Sequence, residues 1–136
     1  VNLVFSGALD RFPRIRFILP HGGGVMPYFA WRLAVSPMID KRLPQLTQEQ
    51  VFAGLARFWY DNALAPGDVT FGALDHVAKP DRILFGTDYP FDMGVEDPVG
   101  FVQQAKLSFL ERNQIVGANA ARLLKIDYNK SRRRTS

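Results

Sequence analysis

The chain of 136 residues contains no cysteine and only two histidines, His21 and His76. The lack of cysteine excludes disulfide bonds and thiolate metal sites. No apolar run approaches the roughly 20 residues that a membrane-spanning helix needs. No segment has the basic start, apolar run and small-residue cleavage site of a signal peptide. We expect a cytoplasmic protein without a membrane partner.

Basic residues are concentrated at the end of the chain. The formal net charge is +4, yet Lys130, Arg132, Arg133 and Arg134 all lie in the last seven residues. Without these four, the chain carries 13 basic and 13 acidic residues. A short basic end is more often a solvated terminus than a binding segment. We therefore predict a disordered tail at 127–136 and no nucleic-acid partner.

Hydrophobic residues make up 47% of the sequence, which is enough for one buried core. The chain begins with Val1, and its first five residues, VNLVF, read as the inside of a structural element. We interpret the chain as one domain or part of one, in a fragment of a longer protein.

Three short apolar segments predict strands at 15–19, 58–61 and 83–86. Helical patterns lie around them, at 1–10, 27–35, 47–55, 67–77, 99–109, 111–116 and 118–124. Ser36-Pro37 is predicted to end the second of these helices. Strands that alternate with helices indicate βα units and a parallel sheet. Three units are too few to close a (β/α)8 barrel, which takes about 250 residues.

Polar side chains follow each predicted strand: His21, Asp61 and Asp88. The carboxyl ends of parallel strands share one edge of the sheet, where catalytic groups collect. Asp88 is open to two interpretations, helix capping or metal and catalytic use. Asp61 is a rim residue or, with more support, a structural one. The glycines at 22–24 allow close approach of a substrate or ion, and their amides could face an anion.

Four ordered motifs match a known family: LPHGGG at 19–24, WYD at 59–61, ILFGTDYPF at 83–91 and NAARLL at 119–124. Together they resemble the C-terminal part of the amidohydrolase-related metal-dependent decarboxylases. That group includes aminocarboxymuconate-semialdehyde decarboxylase and the resorcylate decarboxylases. The likeness covers residues 1–126.

The resemblance implies the fold and the residues of an active site. Residues 1–126 would be the C-terminal part of a (β/α)8 TIM barrel, with about three βα units and the final helices. Asp88 would bind a divalent metal, zinc by preference or manganese, and His21 would be the catalytic histidine. Arg32, eleven positions after His21, would bind the substrate carboxylate, and we place Phe91 near the pocket.

The resemblance also implies an activity and an assembly. The activity would be the non-oxidative decarboxylation of a small aromatic or unsaturated carboxylic acid. The intact protein would be a homodimer or a higher homo-oligomer. Arg32 is equally open to interpretation as a surface helix residue.

The sequence departs from the family at the metal ligands. The family has a His-x-His pair and a further histidine, whereas His76 lies late in a predicted helix and favours a surface role. We therefore expect this chain alone to bind metal weakly and to be inactive, the other ligands lying outside it. Two alternatives stay open: a hydrolase of the same superfamily acting on a lactone or similar ring, and a non-catalytic fragment that needs an N-terminal half.

Overall fold

Three short parallel strands pair in the order in which they occur along the chain. β1 (Ile18–Leu19) lies beside β2 (Trp59–Asp61), which lies beside β3 (Ile83–Leu84). Ile18 is in register with Trp59. Helices lie between consecutive strands, so each pair of strands forms a βα unit. This confirms the predicted α/β class and parallel sheet, although each strand is shorter than predicted.

The computed structural model describes residues 1–65 and 67–127. Its helices, in chain order, are α1 (Asn2–Phe5), α2 (Ala8–Arg11), α3 (Met26–Ile39), α4 (Gln48–Leu55), α5 (Asp68–Asp75), α6 (Pro98–Gln104), α7 (Phe109–Asn113) and α8 (Asn119–Leu124). Within the described ranges no helix is long and apolar enough to cross a membrane. The predicted tail lies outside these ranges from residue 128 onward.

Helix α3 corrects one prediction, because it continues through Ser36-Pro37 to Ile39. Proline removes one backbone donor and crowds the preceding turn, which normally ends a helix. Here Pro37 is buried, so its packing offsets the lost hydrogen bond. The amide of Asp40 still donates to the carbonyl of Ser36 at 2.9 Å, which closes the last turn.

The first ten residues form two helices rather than the single helix predicted. Gly7 separates α1 from α2 with a left-handed backbone, φ 69°, a conformation that glycine adopts without a steric penalty. At the other end of the chain, α7 and α8 are joined by a π-helical turn, Gln114–Ala118. The two final helices predicted there form one continuous helical stretch.

The core lies between the sheet and the helices. It includes Leu55, Tyr60, Leu74 and Ile115, each less than 2% exposed. Helix α4 begins as predicted with a capping box, in which the Thr47 side chain accepts from the Gln50 amide and the Gln50 side chain accepts from the Thr47 amide. Packing and capping together fix the helices against the sheet.

Candidate active site at the carboxyl edge of the sheet

His21 and Asp88 meet at the carboxyl edge of the sheet. His21 follows β1 directly after Pro20, and Asp88 follows β3 by a short loop. His21 Nε2 lies 3.9 Å from Asp88 Oδ1. The His21 side chain is 43% exposed and the Asp88 side chain 15%. A small molecule can therefore reach the imidazole, while the carboxylate is largely shielded from solvent.

Asp61, at the end of β2, lies next to His21. Its Oδ1 accepts hydrogen bonds from the His21 amide at 2.9 Å and from the Ala63 amide at 3.1 Å. The end of β2, the middle strand, therefore holds the backbone of His21 in place. This placement agrees with the structural role favoured for Asp61.

The imidazole of His21 has a defined pattern of hydrogen bonding. Its Nδ1 lies 3.2 Å from the carbonyl oxygen of Ala63. A carbonyl oxygen can only accept, so Nδ1 carries the proton in this contact. In the neutral ring, Nε2 then presents its lone pair on the side of Asp88, which suits a group that accepts and returns a proton.

Gly22 and Gly23, directly after His21, allow close packing of the protein. A Cβ on Gly22 would lie 2.7 Å from Thr70 Cγ2, and one on Gly23 would lie 2.9 Å from the Tyr60 ring. The Gly23 and Gly24 amides donate to the carbonyls of Pro20 and His21. The interpretation that these amides face an anion is therefore wrong for Gly23 and Gly24, because their donors are used within the turn.

Three residues that are not glycine have left-handed backbones just after the strands. They are His21 (φ 55°), Leu64 (φ 56°) and Asp88 (φ 63°), one after each strand of the sheet. Such conformations cost about 1–3 kcal/mol each and persist only where the surroundings enforce them. Their concentration at one edge of the sheet is typical of a functional site.

Tyr60 is more deeply buried than His21 and Asp88. Its side chain is 0% exposed, and its hydroxyl donates to the Leu55 carbonyl at 2.8 Å. Burial raises the pKa of the Tyr60 hydroxyl above its ordinary value. The phenol therefore stays protonated and supports the fold.

Arg32 and Phe91 are exposed, and neither side chain takes part in the His21–Asp88 contact. Arg32 is on the solvent-facing side of α3, where its side chain makes no hydrogen bond or ion pair with the described residues. Phe91 is 67% exposed, and its amide donates to the Asp88 carbonyl at 2.9 Å. His76 ends α5 and is exposed, as predicted.

The donors at this edge fit a divalent metal in part. One carboxylate oxygen and one imidazole nitrogen are ligand types that zinc and manganese accept. Within 1–65 and 67–127, however, no group of three or more His, Cys, Asp or Glu side chains could hold an ion. A complete coordination shell needs ligands from beyond this stretch of chain.

Sequence reasoning missed Asn62 and Ala63. Asn62 is 1% exposed, and its Oδ1 accepts from the Gly86 amide at 2.9 Å. Its backbone N–H donates to the Leu84 carbonyl at 3.0 Å. Asn62 thus fixes the segment that leads to Asp88, while Ala63 contacts His21. The only sequence feature that could have indicated Asn62 is its position directly after the strand-end residue Asp61.

The sequence profile of the amidohydrolase family matches residues 1–126. The chain is 34% identical over 90 residues to the 6-methylsalicylic acid decarboxylase of Penicillium expansum, covering 66% of this chain and 28% of that protein. It is 28% identical over 129 residues to the gamma-resorcylate decarboxylase of Rhizobium sp. (strain MTP-10005), covering 93% and 39%. The chain thus spans about a third of the length of these relatives.

A solved structure has the same fold over most of this chain. The dihydroxybenzoic acid decarboxylase from Polaromonas sp. JS666, with bound manganese and the inhibitor 2-nitroresorcinol, superposes with a TM-score of 0.76 at 26% identity. The match covers 90% of this chain and 37% of that one. This likeness confirms the predicted fold, part of a (β/α)8 barrel.

Proposed function

Because the chain belongs to the amidohydrolase family, we propose that it forms the portion of a metal-dependent carboxy-lyase that carries the catalytic histidine and one metal ligand. The observation that carries the proposal is the 3.9 Å approach of His21 Nε2 to Asp88 Oδ1 at the carboxyl edge of a parallel sheet. These two side chains come from different strands. Their meeting at an accessible edge supports a shared chemical task.

His21 is the proton carrier in this proposal. Decarboxylation breaks the bond between a carbon atom and its carboxylate, releases CO2 and places a proton on that carbon. The exposed imidazole can hold the proton at Nε2 and deliver it there, since Nδ1 is occupied by the Ala63 carbonyl. Imidazole suits this exchange because its free ring nitrogen can bind a proton and give it up again.

Asp88 is the metal ligand in this proposal, with further ligands from the rest of the barrel. When bound, a divalent ion supplies Lewis-acid polarisation of the substrate oxygens. The largely shielded Asp88 carboxylate is an oxygen donor suited to such an ion. We favour zinc or manganese. Zinc is the preference that the family resemblance implies, and manganese is present in the Polaromonas structure.

Arg32 and Phe91 are the substrate-binding residues in this proposal. A guanidinium group matches a planar carboxylate with two parallel hydrogen bonds, and the Arg32 side chain is exposed. Phe91 is held to Asp88 by a tight turn, so its ring can line the rim. The family resemblance implies a homodimer or a higher homo-oligomer, in which the exposed Arg32 side chain would serve its own site or that of a neighbouring subunit.

The proposed substrate is a small aromatic or unsaturated carboxylic acid. Names of three related proteins refer to 6-methylsalicylic acid, gamma-resorcylate and dihydroxybenzoic acid, which are aromatic acids. Release of CO2 from 2,6-dihydroxybenzoate or 6-methylsalicylate would support the lyase. Ring opening of a lactone without CO2 release would favour the hydrolase alternative. A cytoplasmic location and the absence of a nucleic-acid partner stay predictions.

Metal content and CO2 release test the proposal directly. For residues 1–136 alone we expect less than one metal ion per chain and no CO2 release. Stoichiometric metal together with measurable decarboxylation by this stretch alone would show that the assigned ligand set is wrong. Mass spectrometry of the purified chain, with zinc and manganese measured separately, gives the metal content.

Two substitutions separate the roles of the contact pair in a protein that includes the rest of the barrel. Asp88→Ala should lose the ion, whereas His21→Ala should keep the ion and lose turnover. Asp92→Ala and His76→Ala are matched controls, because both residues are exposed and lie outside the contact. Full activity of the His21 variant would remove its proton-carrying role.

A further inference from the structure

Asp61 makes its contacts through a single carboxylate oxygen. Oδ1 accepts from the amides of His21 and Ala63 at 2.9 and 3.1 Å. The Ala63 carbonyl in turn contacts His21 Nδ1 at 3.2 Å. The three residues are linked to one another: Asp61 holds the backbone of His21 and of Ala63, and the Ala63 carbonyl holds the His21 ring.

We propose that Asp61 is a positioning residue that sets the orientation and the tautomer of His21. His21 has a left-handed backbone, φ 55°, which a residue with a side chain adopts only under constraint. The bond from its amide to Asp61 supplies that constraint. The bond from the Ala63 amide places the carbonyl that fixes the proton on Nδ1. The effect on catalysis rests on the proposed function, whereas the effect on the His21 tautomer does not.

Asp61 acts as an acceptor in this arrangement, and its charge is not required. Both hydrogen bonds end on Oδ1, and both donors are neutral backbone amides. An asparagine carbonyl oxygen can accept the same two bonds. This distinguishes positioning from metal ligation, because a metal ligand is weakened when a carboxylate becomes an amide.

The test compares Asp61→Asn with Asp61→Ala. Asp75→Ala is the control, because Asp75 is exposed on α5 and makes no side-chain hydrogen bond with the described residues. In the 136-residue chain, nitrogen-15 NMR at a pH where the imidazole is neutral reports the tautomer of His21. We expect the Nδ1–H form in the parent chain, in Asp61→Asn and in Asp75→Ala, and a mixture with Nε2–H in Asp61→Ala. An unchanged tautomer in a folded Asp61→Ala chain would overturn the inference.

The second readout is turnover in the protein that includes the rest of the barrel. We expect kcat to fall about 10- to 100-fold in Asp61→Ala, with KM and metal content unchanged, and to be largely retained in Asp61→Asn. Equal loss in both variants would show that the charge matters and overturn the acceptor role; loss of metal would make Asp61 a ligand. If Asp61→Ala does not fold, Asp61→Asn alone decides between charge and acceptor. An inactive parent protein refutes the proposed function, while the NMR result still decides the tautomer.

Discussion

Replacing Asn119 by alanine tests how the last helix is fixed to the sheet. Its side chain is 1% exposed, and Nδ2 donates to the carbonyls of Pro80 and Ile83 at 2.8 Å in both cases. Alanine removes both donors and leaves two acceptors facing a methyl group. A net hydrogen bond contributes about 1 kcal/mol, and an unpaired buried group costs about 1–3 kcal/mol. We expect the free energy of unfolding to fall by about 2–4 kcal/mol.

Urea titration followed by circular dichroism measures this loss. At about 4 °C per kcal/mol for a chain of this length, Tm should fall by about 8–16 °C. Asn113→Ala is the control, because Asn113 is half-buried and its side chain makes no hydrogen bond with the described residues. Asn119→Asp should be at least as unstable at neutral pH, since a carboxylate would face two carbonyl oxygens. A loss in Asn119→Ala no larger than in the control would refute the reasoning.

Two further substitutions follow from the local geometry. Gly23→Ala should destabilise the fold by about 1–3 kcal/mol in thermal unfolding, because φ is +78° and the new Cβ would lie 2.9 Å from Tyr60; Gly72→Ala, in α5 with open space around it, should be neutral or stabilising. The hydrogen bond from the Ser108 amide lowers the pKa of the Glu111 carboxyl. The stability that this bond gives the fold is complete above the pKa of Glu111 in the unfolded chain, and it is lost as pH falls through the lower pKa of Glu111 in the folded chain. Glu111→Gln should remove that part of the acid dependence in unfolding curves measured from pH 6 to 3; an unchanged curve would contradict it.

The positions of His21 and Asp88 were predictable from the sequence, because they depend only on the direction of the strands that precede them. Parallel strands place their carboxyl ends at one edge, so a histidine after β1 and an aspartate after β3 were expected to converge. The structure brings these two side chains within 3.9 Å. The substrate-binding roles of Arg32, which the resemblance implies, and of Phe91, which was placed near the pocket, stay predictions, because both side chains are exposed in this chain.

The limits of the helices were less predictable, because tertiary packing overrides local preference. Pro37 is a strong local signal for a helix end, yet α3 continues past it to Ile39 because the proline ring is buried. The glycines after His21 indicated a turn that a substrate or ion approaches closely. For Gly22 and Gly23 the structure gives a packing reason instead: a Cβ there would crowd Thr70 and Tyr60, which lie far away in the sequence.

The conformation of His21 depends on atoms that carry no sequence signal. Every residue has a carbonyl oxygen, so nothing at Ala63 marks it as the acceptor that orients an imidazole. The left-handed backbones of His21, Leu64 and Asp88 are local strain that the isolated segments would release. Hydrogen bonds from the end of β2 hold His21 through Asp61 and the segment before Asp88 through Asn62. β2 therefore sets the relative positions of His21 and Asp88, although neither residue belongs to it. Substitutions at the end of β2 should disturb the contact between these two side chains more than they disturb the packing of the core.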